Sequence, residues 1–430
     1  MPAAASPVCA IDFGTSNSAI ALPAGDGVQL VELEPGQRTM PTAVFYAVEG
    51  LAAFEEPHRH YGRAAVAAYV EGIEGRLMRS MKSILGSTLA DQATDVGGGR
   101  SVRYLDVVGG YLRHLKMLAE RQAGCALSRV VLGRPVFFVD DDAERDAAAQ
   151  AALTRAATEV GFSEISFQYE PIAAALDYET TVCEEQIVLV ADIGGGTSDF
   201  SLVRVGPQQR LRTDRLADIL ANHGVHIAGT DFDRHIELGH ILPACGFKAV
   251  GPTGREVPSK VYFDLATWHL INTVYAPARV AELARMKSFY SDLQHHARLM
   301  TVVTERLGHA LIGQAEAAKI AVAEGGHTTL DLGLLQKGLQ AALTETQAIE
   351  AVEADLKRIV AAADDTLIQA GVAREQVSAL YFTGGSTGLK PLAQRIAARF
   401  PAARVVRGDR FASVAQGLGV HARRVFGPAG

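Results

Sequence analysis

Two glycine turns in the chain combine acids and hydroxyls in a pattern that suits a magnesium-bound phosphate chain. The turns are Asp12-Phe13-Gly14-Thr15-Ser16-Asn17 and Asp192-Ile193-Gly194-Gly195-Gly196-Thr197-Ser198-Asp199. Glycine lets backbone N–H groups approach phosphate oxygens closely, hydroxyls add hydrogen bonds, and carboxylates hold the ion, usually through its retained waters. Taken singly, either turn is equally compatible with a plain tight hairpin. Their recurrence favours a site for phosphate and metal.

A third glycine turn, Gly384-Gly385-Ser386-Thr387, lies between a predicted strand at 377–382 and a predicted helix at 389–400. This placement directs backbone amides and a helix N-terminus towards an anionic ligand. Other nucleotide signatures fail, because the chain has no G-x-x-x-x-G-K-[ST] and neither G-G-G-T nor G-G-S-T fits G-x-G-x-x-G. P-loop enzymes and Rossmann dehydrogenases are therefore poor candidates.

The segments that carry the first two turns are alike. Residues 8–22 and 188–202 match when one is placed 180 residues along from the other, which pairs Asp12 with Asp192 and Gly14 with Gly194. Each reads as an apolar strand, a turn and a second alternating strand, which predicts a β-hairpin. We expect an α/β fold of two lobes, at residues 1–185 and 186–430, with a smaller subdomain inserted at about 234–325.

Bulk composition excludes several classes of function. With 430 residues and 48% hydrophobic side chains, the chain has ample material for a core. The net charge of -7 gives no drive towards nucleic acid or an anionic membrane, so a small ligand or a protein partner is expected. Four scattered cysteines argue against a zinc site or disulfide framework. We predict a cytoplasmic protein, since no signal-like start or apolar run of about 18 residues occurs.

The order of motifs resembles a known family. The chain contains, in sequence, D-F-G-T-S-N-S at 12–18, E-P-I-A-A-A-L-D-Y at 170–178, D-I-G-G-G-T-S-D-F at 192–200, G-T-D-F-D at 229–233, E-A-A-K at 316–319 and T-G-G-S-T at 383–387. This order is similar to the nucleotide-binding domain of the seventy-kilodalton heat-shock protein (DnaK) family. The resemblance implies an actin-like ATPase fold, a duplicated ribonuclease H-like architecture with two lobes around a nucleotide cleft, and ATP or ADP with Mg²⁺ as cofactors.

The resemblance is closest to the YegD-like branch, which lacks the usual chaperone C-terminal half. Only eleven residues follow the segment S-V-A-Q-G-L-G at 413–419, which resembles the closing helix of the ATPase domain. We therefore expect no peptide-binding domain, and we expect nucleotide together with co-chaperone or client proteins as partners.

The resemblance also implies a role for each matching residue. Asp12, Asp192 and Asp199 surround the metal and phosphates, Thr15 and Thr197 contact the γ-phosphate, and Glu170 orients the attacking water. The predicted catalytic residues are Asp12, Glu170, Asp192, Thr197 and Asp199, and the predicted nucleotide-binding residues are Gly14, Thr15, Ser16, Asn17, Gly194, Gly195, Gly196, Gly229, Glu316, Lys319, Gly384, Gly385 and Ser386. Simpler interpretations stay open: Glu170 suits a helix N-terminus, and Glu316 with Lys319 suits a solvated i,i+3 ion pair.

Several positions depart from the family pattern. The segment Y-G-R-A-A-V at 61–66 places Val66 where the family has a phosphate-contacting lysine, and Thr230 replaces an acid. Ile320 and Ala323 occupy positions of an adenine-stacking arginine and a serine. We expect a weak ATPase whose lobes close around the nucleotide. Hydrolysis should be slower than in the family unless Arg63 or Lys82 supplies the positive charge that Val66 lacks. The alternatives are a nucleotide sensor without turnover, a filament-forming actin relative and, last, a sugar kinase.

Overall fold

The computed structural model describes residues 7–25, 27–52, 55–87, 89–139, 142–323, 325–409 and 412–427. The strands are β1 Val8–Phe13, β2 Asn17–Ala24, β3 Gly27–Leu30, β4 Thr39–Pro41, β5 Ala43–Ala47, β6 His58–Tyr61, β7 Gly75–Arg79, β8 Ala93–Gly97, β9 Arg100–Arg103, β10 Arg129–Arg134, β11 Glu164–Tyr169, β12 Gln186–Ile193, β13 Ser198–Val205, β14 Ile219–Val225, β15 His327–Asp331, β16 Gln340–Thr344, β17 Val377–Thr383 and β18 Arg404–Arg407.

The α-helices are spread along the same chain, with α5 to α10 in one run between β14 and β15. They are α1 Gly62–Val70, α2 Tyr104–Ala123, α3 Ala143–Glu159, α4 Glu170–Glu179, α5 Gly229–Ile236, α6 Lys260–Leu265, α7 Ile271–Val274, α8 Pro277–Arg285, α9 Leu293–Thr304, α10 Gly308–Val322, α11 Glu345–Ala370, α12 Lys390–Arg399 and α13 Ser413–Phe426. The strand and helix predicted around the third glycine turn are confirmed as β17 and α12. Among the described residues, no helix has the length and apolar character needed to cross a membrane.

Two sheets share one topology. The first has the strand order β3-β2-β1-β10-β11, and the second has the order β14-β13-β12-β17-β18. In each sheet the leading strand pairs antiparallel with the strand that follows it and parallel with a much later strand. The predicted hairpins are therefore confirmed as β1–β2 and β12–β13, and the duplication extends from those hairpins to five strands in each half.

Helices α4 and α13 cross between the two sheets. Their buried alanines and glycines let them approach closely, since a Cβ atom on Gly417 would lie 1.9 Å from the carbonyl oxygen of Ala173. The core around this crossing includes Ala10 and Val131 from the first sheet and Val190 from the second. Helix α13 follows the second sheet in sequence and packs on the first, so it joins the two halves.

A separate hydrophobic core lies within residues 236–348 and is built mainly from α6 to α10 with β15 and β16. Strands β5, β6 and β7 form a small separate sheet covered by α1. A 3₁₀ helix at Met81–Ile84 follows β7 directly. The lobe boundary at 185 and the insert at about 234–325 stay predictions.

Candidate functional site

The predicted acids lie at strand ends that open into the cleft. Asp12 is near the end of β1 and Asp192 near the end of β12, and Glu170 opens α4 immediately after β11. Thr383 ends β17, which runs parallel to β12, so the third glycine turn begins beside Asp192. The carboxyl ends of parallel strands in α/β sheets are the usual location of ligand sites. The fold thus places residues from distant parts of the sequence together.

The first two glycine turns touch each other across the cleft. A Cβ atom on Gly195 would lie 3.0 Å from the Ser16 hydroxyl oxygen, so the turns of the two hairpins approach closely. Within the first turn, a Cβ atom on Gly14 would lie 2.2 Å from the carbonyl oxygen of Asn17. Glycine is therefore required at position 14 by the geometry of the turn itself. This contact brings the predicted phosphate-binding segments of both halves together.

The second and third turns are joined by hydrogen bonds. The Ser386 hydroxyl donates to the carbonyl oxygen of Gly194 at 2.7 Å, and the Gly229 amide donates to the same oxygen at 3.3 Å. Thr230 donates to the carbonyl oxygen of Gly195 from its amide and its hydroxyl, both at 2.8 Å. Thr230 therefore braces the second glycine turn.

Gly384 occupies a position that admits no side chain. Its φ is +84°, in the left-handed region that favours glycine, and a Cβ atom there would lie 2.4 Å from the Ile193 carbonyl oxygen and 2.5 Å from Asp192 Oδ1. Gly385 then begins a 3₁₀ turn that leads into α12. The small size of Gly384 lets the third turn lie directly against the second hairpin.

The acids of the site repel one another. Asp192 pairs with Asp199 directly across the β12–β13 hairpin. Burial, and then the charges of Asp199 and Glu170, raise the pKa of Asp192 to about 7, against an opposing effect of Lys82. Burial and Glu170 likewise raise the pKa of Asp12, while burial raises that of Asp199 and its hydrogen bond with Thr197 opposes this. A bound cation would favour the ionised carboxylates.

Lys82 supplies a positive charge inside this cluster of acids. It lies on the 3₁₀ helix after β7, is only 8% exposed, and forms an ion pair with Glu170, which is 19% exposed. Gly133 lies against the Glu170 side chain, where a Cβ atom would be 3.3 Å from Glu170 Cγ. Arg63, the other residue expected to supply positive charge to the site, pairs with Glu34 instead. Val66 packs against the small core of α1 and β5.

Comparison with known proteins identifies the family. A family model described as "Hsp70 protein" matches residues 8–243, more than half of the chain. The chain belongs to the Hsp70 family. The Hsp70 nucleotide-binding domain has the actin-like ATPase fold, and the duplicated α/β sheets described above agree with it, so that prediction is confirmed.

Individual relatives match a similar part of the chain. "Chaperone protein DnaK" of Thermosipho melanesiensis is 30% identical over 232 residues, which is 53% of this chain and 35% of that protein. "Chaperone protein HscA homolog" of Haemophilus influenzae is 29% identical over 238 residues, which is 53% of this chain and 36% of that protein. The similarity thus spans about a third of the length of these curated Hsp70 relatives.

Lys319 is anchored by a residue that the sequence analysis missed. Its Nζ lies 2.7 Å from Asp233 Oδ1 and donates to the Gly229 carbonyl oxygen at 3.2 Å. The interpretation of Glu316 and Lys319 as an i,i+3 ion pair is therefore wrong for Lys319. Burial raises the pKa of Asp233 to about 6, and Lys319 opposes that rise. Asp233 is the last residue of the Hsp70-like motif G-T-D-F-D at 229–233, so the sequence offered that motif as a clue to its role.

Thr42 is a second residue that the sequence analysis missed. Its side chain is buried, and its hydroxyl donates to the Gly14 carbonyl oxygen at 2.8 Å, while its amide donates to the Ser16 carbonyl oxygen at 2.9 Å. It therefore fixes the first turn from behind. Thr15 is partly exposed on this turn, and Asn17, Gly196 and Glu316 are exposed on their segments. No local pattern around Thr42 signals this contact.

The donor set of the site fits a magnesium ion that keeps its waters. Within the described ranges, no three histidine, cysteine or acidic side chains are grouped closely enough to hold a metal directly. Asp12, Asp192 and Asp199 nevertheless concentrate negative charge at the glycine turns, where burial raises the pKa of each. Mg²⁺ loses its waters reluctantly and is commonly held by one or two carboxylates together with substrate phosphates.

Proposed function

We propose that this Hsp70-family chain binds Mg²⁺-ATP in the cleft and hydrolyses it slowly. The observation that carries the proposal is the Lys82–Glu170 ion pair beside Asp12, Asp192 and Asp199, at the meeting point of the glycine turns. Such an arrangement provides fixed charges of both signs in a sheltered site, which is what phosphoryl transfer requires more than covalent chemistry. Lys82, on the 3₁₀ helix after β7, supplies the positive charge in this proposal.

The glycine turns hold the phosphate chain in this proposal. Backbone amides of residues 14–17 and 195–197 face the phosphates from the two halves, with hydroxyls of Thr15 and Thr197 adding hydrogen bonds. Gly384, Gly385 and Ser386 hold the adenosine beside the second hairpin. Lys319, fixed by Asp233 on α5, and Glu316 close the site from α10. Asp12, Asp192 and Asp199 hold the magnesium through its waters.

Hydrolysis follows from the placement of Glu170 and Lys82. Glu170 accepts a hydrogen bond from a water aligned with the γ-phosphorus, so that the new P–O bond forms as the bond to the β–γ bridging oxygen breaks. The proton of the attacking water passes to the Glu170 carboxylate, and Lys82 stabilises the negative charge on the γ-phosphate oxygens. When bound, magnesium neutralises charge on the β- and γ-phosphates.

The cellular role in this proposal is chaperone-like. The relatives carry the name chaperone protein, and a nucleotide-driven closure of the two halves would expose or hide a surface for a client or co-chaperone protein. The placement in the YegD-like branch and the absence of a peptide-clamping domain stay predictions. The proposal concerns the nucleotide-binding half of the Hsp70 architecture.

Calorimetry and phosphate release test the proposal together. Titration with ATP and magnesium up to roughly 1 mM should give a binding isotherm, and phosphate release by the unmodified protein should exceed that of Asp192→Asn. Absence of binding heat would refute nucleotide binding. Equal phosphate release by the two proteins, with binding heat present, would favour the alternative of a nucleotide sensor without turnover, which the valine at position 66 supports.

A further inference from the structure

Four side chains form a cluster between the region of α1 and the β5–β7 sheet and the region at 236–348. Tyr69 stacks on Trp268 with ring centroids 5.0 Å apart and planes 26° apart, and the Arg79 guanidinium lies 4.3 Å from the centroid of the Trp268 ring. His309 contacts Trp268 edge-on at 5.0 Å and Tyr69 at 5.1 Å. Aromatic pairs and a cation over an indole face are each attractive contacts.

The cluster draws its members from opposite sides of the cleft. Tyr69 lies on α1 and Arg79 ends β7, both in the region formed by α1 and the β5–β7 sheet. Trp268 lies between α6 and α7, and His309 lies in the first turn of α10, both within the region at 236–348. Contacts within one region would only add to its own packing. These contacts instead join two regions that have separate hydrophobic cores.

Both sides of the cluster lead directly to residues of the nucleotide site. Arg79 is three residues before Lys82, and the link passes through Ser80, whose φ of 53° is an uncommon left-handed conformation for a serine. His309 lies at the start of the same helix that carries Glu316 and Lys319. The charge of Glu316 also acts on Arg79 across the cleft. A shift in the cluster would therefore move the 3₁₀ helix of Lys82 and the helix of Lys319.

His309 suits this packing role because it stays neutral. Burial, and then the positive charge of Arg79, lower the pKa of His309 to about 4. Its Nε2 lies 3.2 Å from the Asn272 side-chain oxygen, which fixes the ring from behind. A neutral imidazole avoids repulsion with Arg79 and presents an aromatic edge to both rings.

We propose that Tyr69, Arg79, Trp268 and His309 form a clasp that closes the cleft over bound nucleotide and sets Lys82 in position against Glu170. The proposal rests on the nucleotide site proposed above. The clasp has two consequences: nucleotide leaves only when the clasp opens, and hydrolysis requires the clasp to be closed. Its members are positioning residues, since they act through Lys82 and through access to the cleft.

The clasp can be observed without nucleotide, because Trp268 is the only tryptophan in the chain. Tyr69→Ala, made on the opposite side of the cleft, should shift the Trp268 emission to longer wavelength and increase its quenching by acrylamide. Phe289→Ala is the matched control, because Phe289 is half exposed in the same core region as Trp268 and is outside the clasp. Unchanged Trp268 emission and quenching in Tyr69→Ala would overturn the proposal.

Nucleotide dissociation tests the function of the clasp. N-methylanthraniloyl-ADP is bound with magnesium and chased with excess ATP in a stopped-flow instrument. Trp268→Ala and Tyr69→Ala should release the labelled ADP roughly tenfold faster, and Trp268→Phe, which keeps an aromatic face for Arg79, should restore most of the slow release. Phe289→Ala should match the unmodified protein, and thermal unfolding checks that each variant is folded.

The outcomes separate this proposal from the nucleotide site beneath it. If labelled ADP binds and leaves Trp268→Ala and Tyr69→Ala at the unmodified rate, the clasp is overturned while the nucleotide site stands. If labelled ADP does not bind the unmodified protein, the proposed function fails and the role of the clasp fails with it. Faster release together with slower phosphate release in Tyr69→Ala, reversed in Tyr69→Phe, supports both parts of the proposal.

Discussion

Lys82 forms an ion pair with Glu170 although the two residues are 88 positions apart in the chain. Glu170 lies at the start of α4, and its side chain packs against Gly133, where the lack of a side chain leaves room for it. Lys82 approaches Glu170 from the 3₁₀ helix after β7. The pair places a buried positive charge among acids, in a region where Val66 offers none. In the proposed hydrolysis, the positive charge beside the acids therefore comes from the 3₁₀ helix and not from α1.

Removal of the Lys82 charge should impair hydrolysis much more than binding. We expect Lys82→Met to lower the rate of phosphate release by about 10²- to 10³-fold, as for the loss of one preorganised charge-stabilising donor. Lys82→Arg should recover part of the rate. Arg63→Met is the control, since Arg63 pairs with Glu34 on the surface. Single-turnover phosphate release measures the effect, and equal rates for Lys82→Met and the unmodified protein would contradict it.

Asp192→Asn should stabilise the nucleotide-free protein while weakening its response to Mg²⁺-ATP. The substitution removes one of two carboxylates that face each other across the β12–β13 hairpin, so repulsion with Asp199 falls. We expect a gain of about 1 kcal/mol in the free energy of unfolding, the usual exchange of stability for function at a strained site. Urea unfolding with and without Mg²⁺-ATP measures both effects. A loss of stability without ligand would contradict the repulsion argument.

Gly384→Ala should abolish nucleotide binding for steric reasons. The new methyl group would collide with the Ile193 carbonyl oxygen and with Asp192 Oδ1, and the backbone there has a positive φ. Gly371→Ala is the matched control, because Gly371 has a φ of +64° and a Cβ atom there would meet nothing within 4 Å. The control should cost roughly 1 kcal/mol of stability and leave binding intact. Calorimetric titration with ATP and magnesium distinguishes the two.

His421 should make the protein less stable as the pH falls below about 6.5. Burial, and then Arg424 and Arg215, lower its pKa in the folded protein to about 4, against 6.5 when it is unfolded. Between these values only the unfolded chain binds the proton, so stability present above pH 6.5 is lost as pH falls. The expected slope is up to about 1.4 kcal/mol per pH unit.

Urea unfolding between pH 7 and pH 5 checks the role of His421. His421→Gln keeps an acceptor for the Gln168 amide nitrogen, which lies 3.1 Å from His421 Nδ1. The variant should lower the slope of unfolding free energy against pH by up to about 1.4 kcal/mol per pH unit, the contribution of one proton. His309→Gln should reduce it by a similar amount, because the pKa of His309 is also lowered to about 4. An unchanged slope in the double variant would show that other groups control the pH dependence.

The sequence predicts the parts of the fold that follow local patterns. The hairpins and the three glycine turns are readable because alternation of apolar residues and glycine placement act over a few positions. Thr42, Lys82 and Asp233 are harder to assign, since each acts through a partner supplied by a distant segment. The clasp around Trp268 is not readable from the sequence, because its members come from α1, β7, α10 and the connection between α6 and α7, which are far apart in the chain.

Helix α13 has a consequence for how this chain folds. It covers strands of the first sheet, and the hydrogen bond between Gln168 and His421 joins residues 253 positions apart. Contacts of such long range form slowly, because the loop between them must close first. During synthesis, the first sheet emerges from the ribosome well before the helix that covers it. The nascent first half therefore exposes apolar surface until residues near 426 are available, and such surface is prone to aggregation during synthesis.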